Sequence, residues 1–382
     1  MKKNFSISLV AGARPNFMKL APIVHAFSAR KQHMHDAGID LNVSIVHTGQ
    51  HYDPNMSDIF FRDLGIRKPD CYLDVGSGSH ARQTAKIMIA FEKFLLEFRP
   101  DLVIVVGDVN STIACALTAK KLGIQVAHVE AGLRSFDMEM PEEINRKLTD
   151  AISDLLFVTE EAGVRNLLAE GVVRKNIFLV GNVMIDTLNQ NLAKIEHNEF
   201  VPTEPVREFC TRWKRYAVLT LHRPTNVDSR ETLEPLWCAI AGLAQNIPIL
   251  FPVHPRTRER IATYGLENSH VTMVEPIGYL DMLFAVKGAT MVLTDSGGLQ
   301  EETTALGIPC ITIRNNTERP VTVEIGTNYL VGTKPEPIVA SANEILHGKA
   351  KKGAIPPLWD GHAAERIVEI IRRKIIGQEF KR

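Results

Sequence analysis

Net charge is the first thing this chain lacks: 44 lysines and arginines stand against 44 aspartates and glutamates over 382 residues. A balanced chain is not built to wrap a polyanion, which speaks against general nucleic-acid binding and leaves room for a local phosphate pocket. Cysteine is sparse. Cys71, Cys115, Cys210, Cys238 and Cys310 are scattered without a C-x-x-C pair, so they read as buried thiols in a reducing, cytoplasmic compartment. Long apolar runs are missing too: Leu102–Val106 is typical of the longest, far short of the ~20 residues a membrane helix needs. Lys2-Lys3 before Ile7–Ala13 mimics a secretion signal, but the apolar part is short and runs into Arg14-Pro15, which makes it a first strand. Low-complexity segments and short fixed-period repeats are absent, which excludes solenoids.

What the chain does have is length and apolar content, with 45% hydrophobic residues, enough for two domains, each with its own core. Strand-like runs at Ile7–Val10, Leu41–Val46, Leu102–Val106, Gln125–Val129, Leu155–Val158 and Ile177–Val180 alternate with helical spacing at Phe17–Ala29, Met56–Leu64, Arg82–Phe98, Ser111–Leu122, Glu142–Asp150 and Glu160–Glu170. Continuous β-branched strands separated by helices imply a parallel sheet covered on both faces. The polar, proline-interrupted stretch Gln190–Arg215 is the expected boundary. A second series follows, with strands near Ala217–Leu221, Ile249–Val253, Val271–Val274, Met291–Thr294 and Cys310–Ile313. The last helix, Ala363–Ile375, is placed to cross back to the first domain. The predicted division is therefore residues 1–190, 191–361 and a terminal helix over 362–382.

Function is sought where such sheets bind ligands, beyond the carboxyl ends of the strands. The central stretch is Leu293-Thr-Asp-Ser-Gly-Gly-Leu-Gln-Glu-Glu302, a strand, a glycine turn and a helix start. Free N–H groups there can hold an anion, and Gly297 and Gly298 let a phosphate come close. Glu302, one turn deeper, is placed to accept the hydroxyls of a ribose. Other strand ends carry Arg14 and Lys19, then His47, Gln50 and His51, then Asp108, then Glu130 and Arg134 with Glu142, Glu143 and Arg146 beyond. In the second half they carry His222, Arg223, His254 and Arg256. Glu130 ends an apolar run, where a partly buried carboxylate can serve as a general acid or base. Ser111 reads as a helix cap. His47 and His51 lack a third ligand, so no metal is expected. Gly76-Ser-Gly-Ser-His-Ala81 fits a dinucleotide fingerprint only loosely, with no acidic residue after a following strand.

Taken in order, Gly12-Ala-Arg-Pro15, Gly107-Asp108, His128-Val-Glu-Ala-Gly-Leu-Arg134, Pro141-Glu-Glu-Ile-Asn-Arg146, Leu221-His-Arg223, Pro252-Val-His-Pro255, the Asp295–Glu302 stretch and Thr317-Glu-Arg-Pro320 form a set. It resembles the non-hydrolysing UDP-N-acetylglucosamine 2-epimerase family over nearly the whole chain. The resemblance implies an α/β protein of two Rossmann-like doubly wound domains facing across a cleft, glycosyltransferase-B-like. It further implies no added cofactor, a homodimer, a UDP-sugar substrate and interconversion of UDP-GlcNAc with UDP-ManNAc. Carried over residue by residue, the catalytic set is Asp108, Glu130, Glu142 and His222. The nucleotide-contacting set is Arg14, His222, Ser296, Gly297, Gly298 and Glu302, to which Lys19, Arg146, His254 and Arg319 are added as further candidates for binding substrate or UDP. Asn16 departs from the Glu many members have, and Asp53 from the Gln of some bacterial members with an allosteric site. Alternatives are a 2-epimerase of a modified UDP-amino sugar, a hydrolysing 2-epimerase, a same-fold glycosyltransferase and a non-enzymatic UDP-sugar sensor.

Overall fold

The computed structural model describes residues 3–49, 61 and 64–377, and of Arg14 the backbone alone. Gln50, His51 and Asp53 lie outside the described residues, as does most of the expected helix over Met56–Leu64. The chain divides into two compact units, Met1–Thr187 with Pro357–Arg382, and Leu188–Pro356.

The first unit holds a seven-stranded sheet of β1 (Lys3–Ala11), β2 (Ile39–His47), β3 (Cys71–Tyr72), β4 (Leu102–Val106), β5 (Gln125–Ala131), β6 (Leu155–Val158) and β7 (Ile177–Leu179), in the order β3-β2-β1-β4-β5-β6-β7. Every pairing is parallel. All five residues of β4, Leu-Val-Ile-Val-Val, are buried, as a strand sandwiched between helix layers must be. The second unit holds six parallel strands, β8 (Ala217–Thr220), β9 (Ile249–Pro252), β10 (Val271–Val274), β11 (Met291–Thr294), β12 (Cys310–Thr312) and β13 (Asn328–Leu330), in the order β10-β9-β8-β11-β12-β13. In both sheets the winding reverses beside the first strand, between β1 and β4 and between β8 and β11. Such switch points leave a crevice at the carboxyl ends where ligands of open α/β sheets bind.

The Gln190–Arg215 stretch, expected to hold the boundary, starts just past the division between Thr187 and Leu188 and contains the end of the helix Val183–Glu196 and the whole helix Glu204–Arg212. Buried Val183, Ile185 and Leu188 keep the first of these continuous across the division between units. Ser111 is not the cap of the helix Asn110–Lys121, whose cap position is Val109. Its hydroxyl instead shares a 2.8 Å hydrogen bond with Thr48. The strand Asn328–Leu330 was not legible, being three residues at a sheet edge with one fully buried position.

The terminal helix Ala363–Ile376 buries Ala364, Ile367, Val368, Ile371 and Ile375, one face of a 3.6-residue period. It packs on the helix Arg14–Asp36, with Arg30 and Glu369 paired at 3.0 Å. Asp186 accepts the N–H groups of Ala363 and Ala364 at 3.1 and 2.7 Å and so supplies the cap the helix lacks on its own. Burial pushes the Asp186 carboxyl up to about 6, although the two N–H groups favour its charged form.

Candidate active site

At the first switch point the loop after β1 is tied to the end of β4 by one side chain. Asn16 accepts from the N–H groups of Gly12 and Ala13 at 3.2 and 2.9 Å and donates to the Val106 carbonyl at 3.1 Å. The helix that starts there carries Lys19 one turn in, and its ammonium pairs with Glu130. Lys19 is thus engaged by a carboxylate of its own unit.

Glu130 sits where β5 breaks register with β6, between Val129 and Ala131. Its φ is 71°, a left-handed value that costs a non-glycine residue on the order of 1–3 kcal/mol. The bulge re-aims its carboxyl out of the strand's alternation. The residue is 3% exposed and its second oxygen is buried without a hydrogen-bond partner. Gly107, with φ 68°, lies against this pair: a Cβ there would sit 3.0 Å from the Lys19 ammonium.

Asp108 follows Gly107 and is less buried. Arg146 donates to it from Nε at 3.1 Å and from Nη2 at 2.9 Å, and its third nitrogen reaches Glu143. Glu143 is fully buried and also accepts from the Ser135 and Phe136 N–H groups. It therefore orders the loop before the helix Pro141–Ile152, while Glu142, the neighbour chosen from the sequence, stays half-exposed on that helix's first turn. Arg146 accordingly bridges Asp108 and Glu143.

At the second switch point β8 delivers His222 and Arg223, and β11 delivers Asp295 and the helix Gly297–Leu306 with Ser296 at its cap position. Asp295, which sequence reasoning passed over, organises the group. Its side chain is fully buried; one oxygen faces His222 Nδ1 at 2.8 Å. The other accepts from the His222 and Arg223 N–H groups at 2.9 and 2.8 Å and from Asn226 at 3.1 Å. Burial pushes this carboxyl up, but His222 and the two N–H groups outweigh it and hold Asp295 below the usual carboxylate range. His222 itself is half-exposed, turned with its other nitrogen away from Asp295. The signal was available: an aspartate closing a buried strand, two residues before paired glycines.

The two glycines differ. A Cβ on Gly297 would lie 2.9 Å from Arg319 Nη1, whereas one on Gly298 meets nothing within 4 Å. The Arg319 guanidinium thus borders Gly297, while the side of Gly298 is open. Arg319 is paired with Glu301 at 2.6 Å, and Arg314 with Glu318 through two 2.9 Å bonds. Glu302 is buried beside the Tyr279 hydroxyl. Burial pushes its carboxyl up to about 8, with Tyr279 opposing and Glu301 adding to the rise. His254 caps the helix Pro255–Thr263 through a 3.3 Å bond from the Arg256 N–H and is exposed.

Two other sequence features resolve plainly. His47 is buried, which lowers it to about 4, and its Nδ1 accepts from the Gly49 N–H at 2.7 Å. Gly76 and Gly78 have neither left-handed φ nor pressing neighbours, and the stretch leads into the helix His80–Phe98. Among the described residues no group of His, Cys, Asp or Glu is arranged to hold a metal ion, and no helix is long and apolar enough to cross a membrane.

Two parallel doubly wound sheets with interleaved helices, each with polar side chains gathered at its switch point, define a two-domain α/β protein of the glycosyltransferase-B-like class. The profile described as UDP-N-acetylglucosamine 2-epimerase matches residues 33–372. The chain belongs to that family. A UDP-N-acetylglucosamine 2-epimerase of Methanocaldococcus jannaschii is 44% identical over 378 residues, covering 96% of this chain and 98% of the relative. A UDP-2,3-diacetamido-2,3-dideoxy-D-glucuronate 2-epimerase of Pseudomonas aeruginosa is 40% identical over 370 residues, covering 96% and 99%. The crystal structure of M. jannaschii UDP-GlcNAc 2-epimerase in complex with UDP-GlcNAc and UDP superposes with a TM-score of 0.84 at 44% identity, covering 97% of this chain and all of that one.

Proposed function

We propose that this protein interconverts UDP-GlcNAc and UDP-ManNAc by eliminating and re-adding UDP through a bound glycal. The proton on the second sugar carbon is not acidified by a neighbouring carbonyl, so its removal must be coupled to departure of a good leaving group. A base takes that hydrogen while the bond from the anomeric carbon to the diphosphate breaks, leaving a carbon–carbon double bond in the ring. UDP then re-adds, and a proton delivered from the opposite face gives the epimer. The observation that carries this reading is Glu130, a buried carboxylate held by Lys19 in a left-handed bulge at the end of β5. Carboxylates so constrained mark sites where geometry matters more than local stability.

Asp108, steadied by Arg146, and Glu142 complete the acid–base set of the first unit. The departing diphosphate falls to the second unit, where the start of the helix Gly297–Leu306, the open side of Gly298 and His222 backed by Asp295 stabilise developing negative charge. Arg14 belongs to the same role, and Glu302 receives the ribose hydroxyls. The protein works in the cytoplasm as a homodimer. Support for association comes from Ile89 and Leu96, two turns apart on the helix His80–Phe98 and 71% and 54% exposed.

Proton NMR of UDP-GlcNAc with the protein in deuterated water tests the reading. Deuterium at the second sugar carbon in a mixture of both epimers is the expected result. Free ManNAc with UDP would instead mean hydrolysis, and absence of exchange would mean transfer or sensing. The 40% identity to the diacetamido-glucuronate enzyme favours one second reading, a 2-epimerase of a modified UDP-amino sugar. Exchange with that uronate and none with UDP-GlcNAc would decide for it.

A further inference from the structure

We propose that Asp150, acting partly through His128, is a positioning residue that fixes Glu130 and the Gly107–Asp108 turn together. The inference rests on the epimerase reading above. Asp150 lies on the helix Pro141–Ile152, is 2% exposed, and grips β5 on both sides of its bulge. Its Oδ1 meets His128 Nδ1 at 2.6 Å, two residues before Glu130. Its Oδ2 accepts the Gly132 N–H at 3.0 Å, two residues after. One carboxylate therefore brackets the strained residue. Gly132 itself has φ 79°, and a Cβ on it would run into the Gly163 carbonyl oxygen, so the turn needs glycine there.

The second arm runs through the imidazole. His128 is fully buried and its Nε2 lies 2.8 Å from the Gly107 carbonyl. A carbonyl only accepts, so Nε2 donates there; Asp150 is also an acceptor, so Nδ1 donates to it. The ring spans the two contacts and ties the end of β4, beside Asp108, to the carboxylate that also holds the Gly132 N–H. Burial pushes the Asp150 carboxyl up, but His128 and Arg134 outweigh this and hold it below the usual range. Arg134 stands 2.7 Å from Asp150 and is itself paired to Glu170 through 2.9 and 2.6 Å bonds. Asp150, His128 and Arg134 are buried and Glu170 stands at the surface, each with a partner, and none need touch the sugar. Its work is to keep two reacting carboxylates in register, where a displacement of about 1 Å can cost on the order of a hundredfold.

The test uses Asp150→Asn, which keeps size and loses one acceptor, and His128→Phe, which keeps a ring and loses both donors. Each is compared with the unaltered protein by steady-state kinetics and by the isotope effect from UDP-GlcNAc deuterated at the second sugar carbon. Both variants are expected to lose roughly ten- to a hundredfold in kcat, with KM within about threefold and a larger isotope effect on kcat. If Asp150→Asn fails to fold, His128→Phe carries the test, and Asp150→Glu should restore folding without restoring kcat. Unchanged kcat and isotope effect in folded variants, or a loss confined to KM, would overturn the proposal while leaving the epimerase reading intact. A lack of deuterium incorporation by the unaltered protein would overturn that reading instead.

Discussion

Glu302 allows the sharpest quantitative test. A buried carboxyl that keeps its proton to about 8, against an ordinary 4.5, favours folding while protonated, and each pK unit is worth about 1.36 kcal/mol. The sign follows from proton counts. Below about pH 4.5 both folded and unfolded chains carry the proton and the contribution is fully present; from 4.5 to 8 only the folded chain keeps it, so stability falls as pH rises. Over the whole window the loss is on the order of 3–5 kcal/mol, a large part of a domain's stability. Glu302→Gln removes the titrating group, so its stability relative to the native protein should improve by that amount between pH 5 and pH 8. Asp186, raised to about 6, contributes its slope to both proteins and cancels in the difference. Urea denaturation across this range measures it; parallel pH profiles for the two proteins would refute the burial argument. The same group links to ligand. Two ribose hydroxyls donating to both oxygens of Glu302 favour its ionised form, so UDP binding at pH 7 should release up to about one proton. Calorimetry in Pipes and in Tris should return enthalpies that differ by the two buffers' ionisation heats.

Glu130→Gln should lower turnover by about two to four orders of magnitude with circular dichroism unchanged; near-normal turnover removes Glu130 from the chemistry. Asp295→Asn should cost about 10²–10³ in kcat by misorienting His222, with UDP-GlcNAc turnover as the readout, and a loss under threefold would contradict the assignment. Gly298→Ala should leave the melting temperature within a few degrees, since its Cβ meets nothing, yet weaken UDP binding by about tenfold or more; intact UDP affinity would put the phosphates elsewhere. Ile89→Asp should shift sedimentation toward the monomer, and an unchanged profile would exclude that face from the contact.

Much of the architecture was readable because parallel strands buried on both faces leave continuous apolar runs. Leu102–Val106 and Leu155–Val158 form as read. Edge strands such as Asn328–Leu330 lack that signature, having solvent on one side and only three residues. The site was legible as a set of strand-end side chains but not as a set of partnerships. Nothing in the spacing of Lys19 and Glu130, 111 positions apart, says that they meet. Asp295 and Glu143 were overshadowed by neighbours in their own motifs, Ser296 and Glu142, because a motif gives residue types and not which of two adjacent side chains turns inward.

The helix Val183–Glu196 carries the chain out of the first unit, and the segment from Pro357 brings it back. On the ribosome this reverses the usual order of completion. The module spanning Leu188–Pro356 can close on itself as soon as it emerges, whereas the module bearing Glu130 must wait for the final helix to cover Arg14–Asp36. A nascent chain stalled after residue 356 would thus hold a finished second unit while the first was still unsealed, and chaperone attention during synthesis should concentrate on the part translated first.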